Sequence, residues 1–185
     1  MTKATIRGVS SRYKMATLAG GCFWCTEALF LRVKGVEKVI SGYSGGNIDN
    51  PSYEKVSSGI SGHAEVIQIT YDPKKISYKN LLYIFFRTHD PTTLNRQGAD
   101  VGSQYRSVIF YHDKNQKKVA DKAIKDAQKD YTAPIVTKVL PFETFYKAED
   151  YHQNYFSNNP EKNYCKLVIN PKIKKLQQDF KKYLA

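Results

Sequence analysis

The sequence predicts an α+β fold, a split β-α-β (ferredoxin-like) two-layer sandwich with an extended C-terminal arm. Short runs of β-branched and apolar residues alternate with longer segments of helical periodicity. The first six elements follow the order β-α-β-β-α-β, which is the split β-α-β arrangement. We therefore expect an antiparallel or mixed sheet with its helices packed on one face.

The first half of the chain supplies three strands and one helix. Ala16 to Ala19 is a short apolar run stopped by two glycines, and the segment CFWCTEALFLRV then has the composition of a helix that begins near Cys22. Val36 to Tyr43 is a second, β-branched run. In the third strand, EVIQITY, alternate residues share a face, so Glu65 stands at the head of an otherwise apolar row.

The second half continues with helices, strands and a trailing segment. We predict a helix from a Ser77 cap to Arg87, a strand over Tyr105 to Tyr111, a lysine-rich helix from an Asp113 cap to Asp130, a strand over Ile135 to Leu140, and a short helix over Ala148 to Phe156. The polar stretch SNNPEKNY before Cys165 is predicted to stay mobile at the surface. An amphipathic helix is expected to end the chain.

The chain carries a formal charge of +12 and has a pI near 9.5, which raises a nucleic-acid-binding module as an alternative. Much of the excess lies in Lys114 to Lys129 and Lys172 to Lys182, where lysines alternate with apolar residues as on the solvated face of an amphipathic helix. The longest apolar run, Leu81 to Phe86, is too short to span a membrane. We expect a cytoplasmic protein that binds neither nucleic acid nor membrane.

Three cysteines occur, so a fully paired set of structural disulfides is excluded and at least one thiol is free. Cys22 follows two glycines at a predicted helix start, where unpaired N–H groups and the helix dipole favour a thiolate. The alternative is a buried, inert cysteine. Phe23 and Trp24 follow directly, and two aromatic faces beside a reactive sulfur can hold a small apolar group such as an S-methyl.

Six ordered blocks carry a resemblance to a known family. They are Gly20-Gly21-Cys22-Phe23-Trp24 with Glu27, Ser41 to Gly46 (SGYSGG), Ser61 to Glu65 (SGHAE), His89-Asp90-Pro91, Asp100 to Ser107 (DVGSQYRS), and Ala148 to Gln153 (AEDYHQ). With these blocks the chain resembles the class A methionine sulfoxide reductases from about Ala16 to Lys172. The resemblance implies a thiol-dependent reduction of methionine-S-sulfoxide, free or in proteins, with Cys22 as the nucleophile and Phe23 and Trp24 as the substrate-binding rings.

Physical reasoning gives the matched residues roles. A sulfoxide oxygen leaves only when it is protonated, and Glu65 on an apolar face fits a general acid because burial raises a carboxyl pKa. By resemblance alone, Tyr43 and Tyr105 hold the sulfoxide oxygen and Asp100 orients the loop or a catalytic hydroxyl. His63 and His152 are expected to be structural hydrogen-bonding residues.

The resemblance also divides the chain and names its partners. We predict an N-terminal extension over residues 1-15, a catalytic reductase domain over 16-158, and a C-terminal arm over 159-185. The enzyme is expected to be a monomer that uses no metal or organic cofactor. Its disulfide is expected to be reduced by an external dithiol, thioredoxin.

The sequence departs from the family pattern at its cysteines. Many members have Gly where Cys25 stands, and some carry two cysteines in a glycine-rich tail where this chain has Cys165 alone. The sequence favours Cys165 as the resolving cysteine because of its expected mobility, with Cys25 and a relay from Cys25 to Cys165 left open. A zinc site and a thioredoxin-like disulfide oxidoreductase are alternatives, weakened because only Cys22 and Cys25 are closely spaced.

Overall fold

A computed structural model describes residues 12–185 of the chain. Most of the predicted N-terminal extension therefore lies outside the described residues. The first strand begins at Lys14, two residues before the predicted Ala16. Arg12 forms an ion pair with Asp72 at 3.0 Å, which ties the start of the described chain to the end of a neighbouring strand.

Within residues 12–185, eight strands form a six-stranded sheet and a separate hairpin. They are β1 (Lys14–Gly20), β2 (Val36–Ser44), β3 (Ala64–Tyr71), β4 (Arg96–Gln97), β5 (Asp100–Val101), β6 (Ser107–Tyr111), β7 (Lys138–Pro141) and β8 (Tyr146–Lys147). The sheet order is β7-β6-β1-β3-β2-β8, and β4 pairs with β5. The central strands β6-β1-β3-β2 are antiparallel throughout, while β7 runs parallel to β6. The predicted α+β class and split β-α-β order are confirmed.

In the described part of the chain, six α-helices accompany the sheet. They are α1 (Phe23–Phe30), α2 (Tyr53–Ser57), α3 (Tyr78–Thr88), α4 (Lys114–Ala127), α5 (Tyr155–Asn158) and α6 (Asn170–Asp179). The predicted caps of α3 and α4 are confirmed, since Ser77 accepts from the Asn80 N–H at 3.2 Å and Asp113 from the Gln116 N–H at 2.7 Å. Among the described residues no helix is both long and apolar enough to cross a membrane.

The core lies between the sheet and its helices. Ile67, Ile69 and Tyr71 of β3 share the helix-facing side with Glu65, as the alternation predicts, and all are buried. Smaller side chains line the opposite face, where Phe142 and Phe145 cover them. The catalytic candidates therefore project into the larger of the two apolar clusters.

Three predicted elements differ in the structure, and one of them is the strand predicted over Ile135 to Leu140, which begins at Lys138. The strand predicted from Tyr105 begins at Ser107, because Tyr105 closes a 3-10 turn after Gly102, whose φ of 148° breaks the extended run. The helix predicted over Ala148 to Phe156 is interrupted at Asn154, which adopts a left-handed φ of 52°. The N–H groups of Asn154 and Tyr155 bond the buried Glu27 carboxylate, so a contact distant in sequence fixes the break.

The C-terminal segment folds back onto α1. Ile173, Leu176 and Phe180 are buried, as the amphipathic pattern predicts. The last residue donates its N–H to the Arg32 carbonyl at 3.1 Å, and Leu184 forms a bridge with Val33. The expected arm is thus packed against the main core from Cys165 onward.

Candidate active site

Cys22 occupies the N-cap position of α1, as predicted. Its carbonyl accepts the N–H groups of Cys25 and Thr26, and its side chain is 7% exposed. The preceding Gly21 has a φ of 92°, and a Cβ there would lie 2.5 Å from the Gln97 side chain. Only glycine fits this turn, which sets the nucleophile candidate at the head of the helix.

The Glu65 carboxyl lies beside Cys22. Its Oε2 accepts the backbone N–H of Phe23 at 2.9 Å, and the side chain is buried. Burial raises the pKa of Glu65 from 4.5 to about 8, although the Phe23 hydrogen bond acts in the opposite direction. Glu65 therefore holds its proton at neutral pH, as a general acid must.

The two thiols of the Cys-x-x-Cys pair interact across the first turn of α1. Burial raises the pKa of Cys22 well above its ordinary value, whereas the Cys22 thiol, as hydrogen-bond donor, lowers the pKa of Cys25 to about 7. The positive charge of Lys172 lowers the Cys25 pKa further. Burial thus opposes the thiolate that the helix start is predicted to favour at Cys22.

Asp100 reaches the cysteine pair through Tyr164. The Tyr164 hydroxyl donates to the Asp100 Oδ2 at 2.7 Å and lies 3.6 Å from the Cys25 Sγ. Sequence reasoning missed Tyr164, although its position directly before Cys165 is a signal that could have singled it out. Asp100 thus orients a hydroxyl at the site, in keeping with the role expected for it.

The two predicted tyrosines occupy different positions. Tyr43 is fully buried, and its hydroxyl donates to the Glu149 Oε2 at 2.7 Å, so its only proton is already committed. Burial raises the pKa of Tyr105, and the charges of Glu65 and Cys22 raise it further. The Tyr43 hydroxyl, to which the sequence analysis assigned the sulfoxide oxygen, is thus bonded to Glu149, and the Tyr43 ring packs against Phe23.

A third tyrosine, Tyr53, was missed from the sequence. Its pKa is raised to about 12 by burial and by the charges of Glu65 and Cys22, as for Tyr105. Its backbone N–H donates to the Glu149 Oε1 at 2.9 Å. The preceding Ser52 caps the short α2. A serine at this position could have indicated from the sequence that Tyr53 begins a helix within a stretch typical of a turn.

Trp24 is held on three sides. Its Nε1 donates to the His152 Nδ1 at 3.0 Å, Tyr155 stacks on one face at 3.7 Å, and Tyr164 meets it edge-on at 5.7 Å. The Phe23 and Trp24 ring centroids lie 6.4 Å apart, with Phe23 buried and Trp24 half-buried. Two aromatic rings thus stand next to Cys22 with one Trp24 face covered.

The two histidines of the matched blocks make structural contacts. The His63 Nδ1 accepts the Gly46 N–H at 3.0 Å, and its Nε2 donates to the Ile48 carbonyl at 2.8 Å. His152 is fully buried and orients Trp24. Within residues 12–185, no three or more His, Cys, Asp or Glu side chains gather as a metal site would require.

Cys165 is fully buried, at 0% exposure. It begins a π-helical turn, Cys165–Ile169, that continues directly into α6. Burial and the nearby Cys25 charge raise its pKa. The prediction of a mobile surface thiol is wrong. Ile169, Ile173 and Leu176 pack in the same core cluster as α1, and Cys165 is buried with them.

The chain is similar to proteins that reduce methionine sulfoxide. The family model described as "Peptide methionine sulfoxide reductase" matches residues 14–184. A protein of that name from Sulfolobus acidocaldarius is 57% identical over 167 residues, which cover 90% of this chain and 95% of the relative.

The chain is also similar in fold to solved structures. The reduced form of Mxr1 from Saccharomyces cerevisiae superimposes with a TM-score of 0.80 at 38% identity, covering 88% of this chain and 94% of that one. Mxr1 in complex with Trx2 gives a TM-score of 0.58 at 30% identity, covering 82% and 91%. Family model, relative and structures together span nearly the whole described chain, and the chain belongs to the peptide methionine sulfoxide reductase family.

Proposed function

We propose that the chain reduces methionine-S-sulfoxide, free or in proteins, to methionine, and that Cys22 and Glu65 carry the chemistry. The single observation that supports this most is the buried Glu65 carboxyl beside the Cys22 helix start, protonated at neutral pH. The Cys22 thiolate attacks the sulfoxide sulfur and Glu65 protonates the oxygen. Methionine leaves, the oxygen stays on Cys22 as a sulfenic acid, and Glu65 becomes a carboxylate.

The substrate is bound by aromatic rings and hydroxyls. Phe23 and Trp24 receive the S-methyl group, since their rings flank Cys22. Tyr53 and Tyr105 donate to the sulfoxide oxygen, because both feel the charges of Glu65 and Cys22. Tyr43, to which the sequence analysis assigned this role, donates its hydroxyl to Glu149 instead. Glu149 in turn accepts the backbone N–H of Tyr53.

The test of this function is epimer-resolved turnover. We expect the reduced protein, supplied with dithiothreitol or thioredoxin, to consume the S epimer of a peptide methionine sulfoxide and leave the R epimer. Preference for the R epimer, or no turnover, would contradict the proposal. A salt-sensitive affinity for duplex or single-stranded nucleic acid in the same sample would favour the basic binding module instead.

We propose that Cys25 resolves the sulfenic acid, reversing the preference drawn from the sequence. Cys25 lies in the first turn of the helix that Cys22 caps, whereas Cys165 is enclosed in the packed C-terminal segment. Condensation of the Cys22 sulfenic acid with the Cys25 thiol forms a disulfide and releases water. Cys-x-x-Cys pairs at helix starts form such disulfides in other redox proteins.

Peptide mapping by mass spectrometry after one equivalent of sulfoxide checks this assignment. We expect a Cys22–Cys25 disulfide in the parent and in Cys165→Ser, and a sulfenic acid that persists in Cys25→Ser. A Cys22–Cys165 disulfide formed at the same rate in the parent and in Cys25→Ser would restore Cys165 as the resolving thiol.

The disulfide is reduced by thioredoxin in this proposal, supported by the Mxr1 structure with Trx2. No metal or organic cofactor enters the cycle, since thiols and one carboxyl account for every proton and electron. In this proposal the chain acts as a monomer. Its three free cysteines support a cytoplasmic location, where thiols stay reduced.

A further inference from the structure

Glu27 belongs to the same block of the sequence as Cys22, but it takes no part in the chemistry of sulfoxide reduction. It lies in α1, three residues after Trp24, so the two side chains leave the helix on the same side. A glutamate on a helix normally extends into water, yet Glu27 is 1% exposed. A carboxyl group enclosed in this way needs hydrogen-bond donors to offset its lost hydration.

The donors to Glu27 belong to a distant part of the chain. Its Oε1 accepts the Asn154 N–H at 2.9 Å, and its Oε2 accepts the Tyr155 N–H at 3.3 Å. Asn154 has a left-handed φ of 52° and the short α5 begins directly after it, so both N–H groups lie at a helix start, where the helix itself supplies no acceptor. Each Glu27 oxygen therefore satisfies one backbone donor, and the two bonds together fix the chain at Tyr155.

Tyr155 carries this placement to Trp24. Its ring is stacked on the Trp24 indole, with the ring centroids 3.7 Å apart and the planes 6° from parallel. The Trp24 indole N–H donates to His152, two residues before Asn154, at 3.0 Å. Glu27 and Trp24, one turn apart on α1, thus contact the same turn of the chain.

A second anchor holds this turn to the sheet independently of Glu27. The Gln153 side-chain amide accepts the Ser41 N–H and donates to the Ser41 carbonyl, both at 3.0 Å. Ser41 belongs to β2, so Gln153 ties the turn to the sheet, whereas Glu27 ties it to α1. Loss of the Glu27 bonds is therefore expected to release Tyr155 from Trp24 while the turn stays attached to the sheet.

We propose that Glu27 is a positioning residue for substrate binding, which holds Tyr155 against one face of Trp24 so that the opposite face is presented to the S-methyl group of the sulfoxide. The inference rests on the proposed function, in which Trp24 receives that group. Glu27 acts on binding rather than on the chemical step, because the hydrogen bond between Glu65 and Phe23 does not involve its side chain.

The fluorescence of the protein reports this placement, because Trp24 is the one tryptophan in the chain. Glu27→Gln keeps the size of the side chain but replaces one acceptor oxygen with an NH2 group, which faces a backbone N–H. We expect the emission of the reduced variant to move to longer wavelength, because Tyr155 no longer shields one indole face from water.

Single-turnover kinetics measure the effect on the substrate. The reduced protein is mixed with excess peptide methionine-S-sulfoxide without reductant, and the first methionine is followed by rapid quench. In Glu27→Gln the sulfoxide concentration that gives half the maximal rate should rise about 10-fold, as expected for the loss of one aromatic contact. The maximal rate should stay close to that of the parent, since an interaction used for binding alone changes half-saturation and leaves the chemical step unchanged.

Two further variants test the route through Tyr155. Tyr155→Ala removes the stacked ring and keeps the backbone N–H that Glu27 accepts, so it should shift the emission and the half-saturating concentration in the same direction as Glu27→Gln. Glu27→Asp keeps two acceptor oxygens on a shorter side chain. Both of its shifts should therefore have the same direction and be smaller.

Asp72→Asn is the matched control for a loss of stability alone. Asp72 is a buried carboxyl group that accepts the Lys74 N–H at 2.9 Å and pairs with Arg12, and it follows the end of β3 opposite to Glu65. Its amide variant should lower the melting temperature, as Glu27→Gln is also expected to do. Its emission and its half-saturating concentration should equal those of the parent.

If Glu27→Gln loses stability while its emission and half-saturating concentration equal those of the parent, Glu27 supports only the fold and the inference is overturned. Shifts in Glu27→Gln that Tyr155→Ala does not reproduce would overturn it as well. Should Glu27→Gln fail to fold, Glu27→Asp and Tyr155→Ala decide by the same two measurements. Failure of the parent to form methionine would instead reject the proposed function, and the fluorescence would still test the placement of Trp24.

Discussion

Cys22→Ser is expected to abolish methionine formation completely, with the fold intact. An alcohol near neutral pH is a far weaker nucleophile than a thiolate, so no sulfenic acid can form. Serine is a favoured N-cap residue, and the Cys22 side chain makes no capping hydrogen bond that would be lost. The measurement is methionine released from one equivalent of S-sulfoxide, with circular dichroism and thermal unfolding to verify the fold.

The control for Cys22→Ser is the substitution of the neighbouring thiol, Cys25→Ser. Because Cys25 has the lower pKa of the pair, it is the one rival nucleophile that the structure offers. Cys25→Ser should still release one equivalent of methionine, whereas Cys22→Ser should release none. A full equivalent from Cys22→Ser would transfer the nucleophilic role to Cys25.

Glu65→Gln is expected to lower the single-turnover rate by about 10²-fold or more below pH 8. With a pKa of about 8, Glu65 is protonated below that pH, and the parent rate should fall as pH rises through it. The variant has no such proton to lose, so its profile should lack the falling limb and its deficit should shrink at higher pH. A falling limb that persists in the variant would show that the oxygen receives its proton from another group.

The thermal stability of Glu65→Gln also tests the raised pKa of Glu65, without a measurement of catalysis. A carboxyl whose folded pKa is raised from 4.5 to about 8 stabilises the fold fully at low pH, and this contribution is lost as pH rises between the two values. Glutamine keeps an oxygen for the Phe23 N–H. The thermal stability of Glu65→Gln relative to the parent should therefore increase from pH 5 to pH 8.

Local patterns in the sequence determined the strands, the helix caps and the places of Cys22 and Glu65 in the fold. The alternation of EVIQITY placed Glu65 on the buried face of β3, and the two glycines placed Cys22 at the start of α1. Ser77 and Asp113 cap their helices as their positions predict. These features depend on residues within a few positions of one another, so they can be read from the sequence alone.

Contacts between distant parts of the chain decided the rest. Tyr43 and Tyr53 could not be told apart by composition, because the Glu149 that engages the Tyr43 hydroxyl lies 106 residues away. The pKa of Cys25 likewise depends on Tyr164, 139 residues further along, and on Lys172. Cys165 follows a polar stretch typical of a mobile loop, yet it is buried because the apolar side of α6 docks on α1. Hydrogen-bond partners and desolvation arise only when the layers pack, so only the tertiary structure could decide which groups act on the Cys25 pKa and which tyrosine hydroxyl is bonded to Glu149.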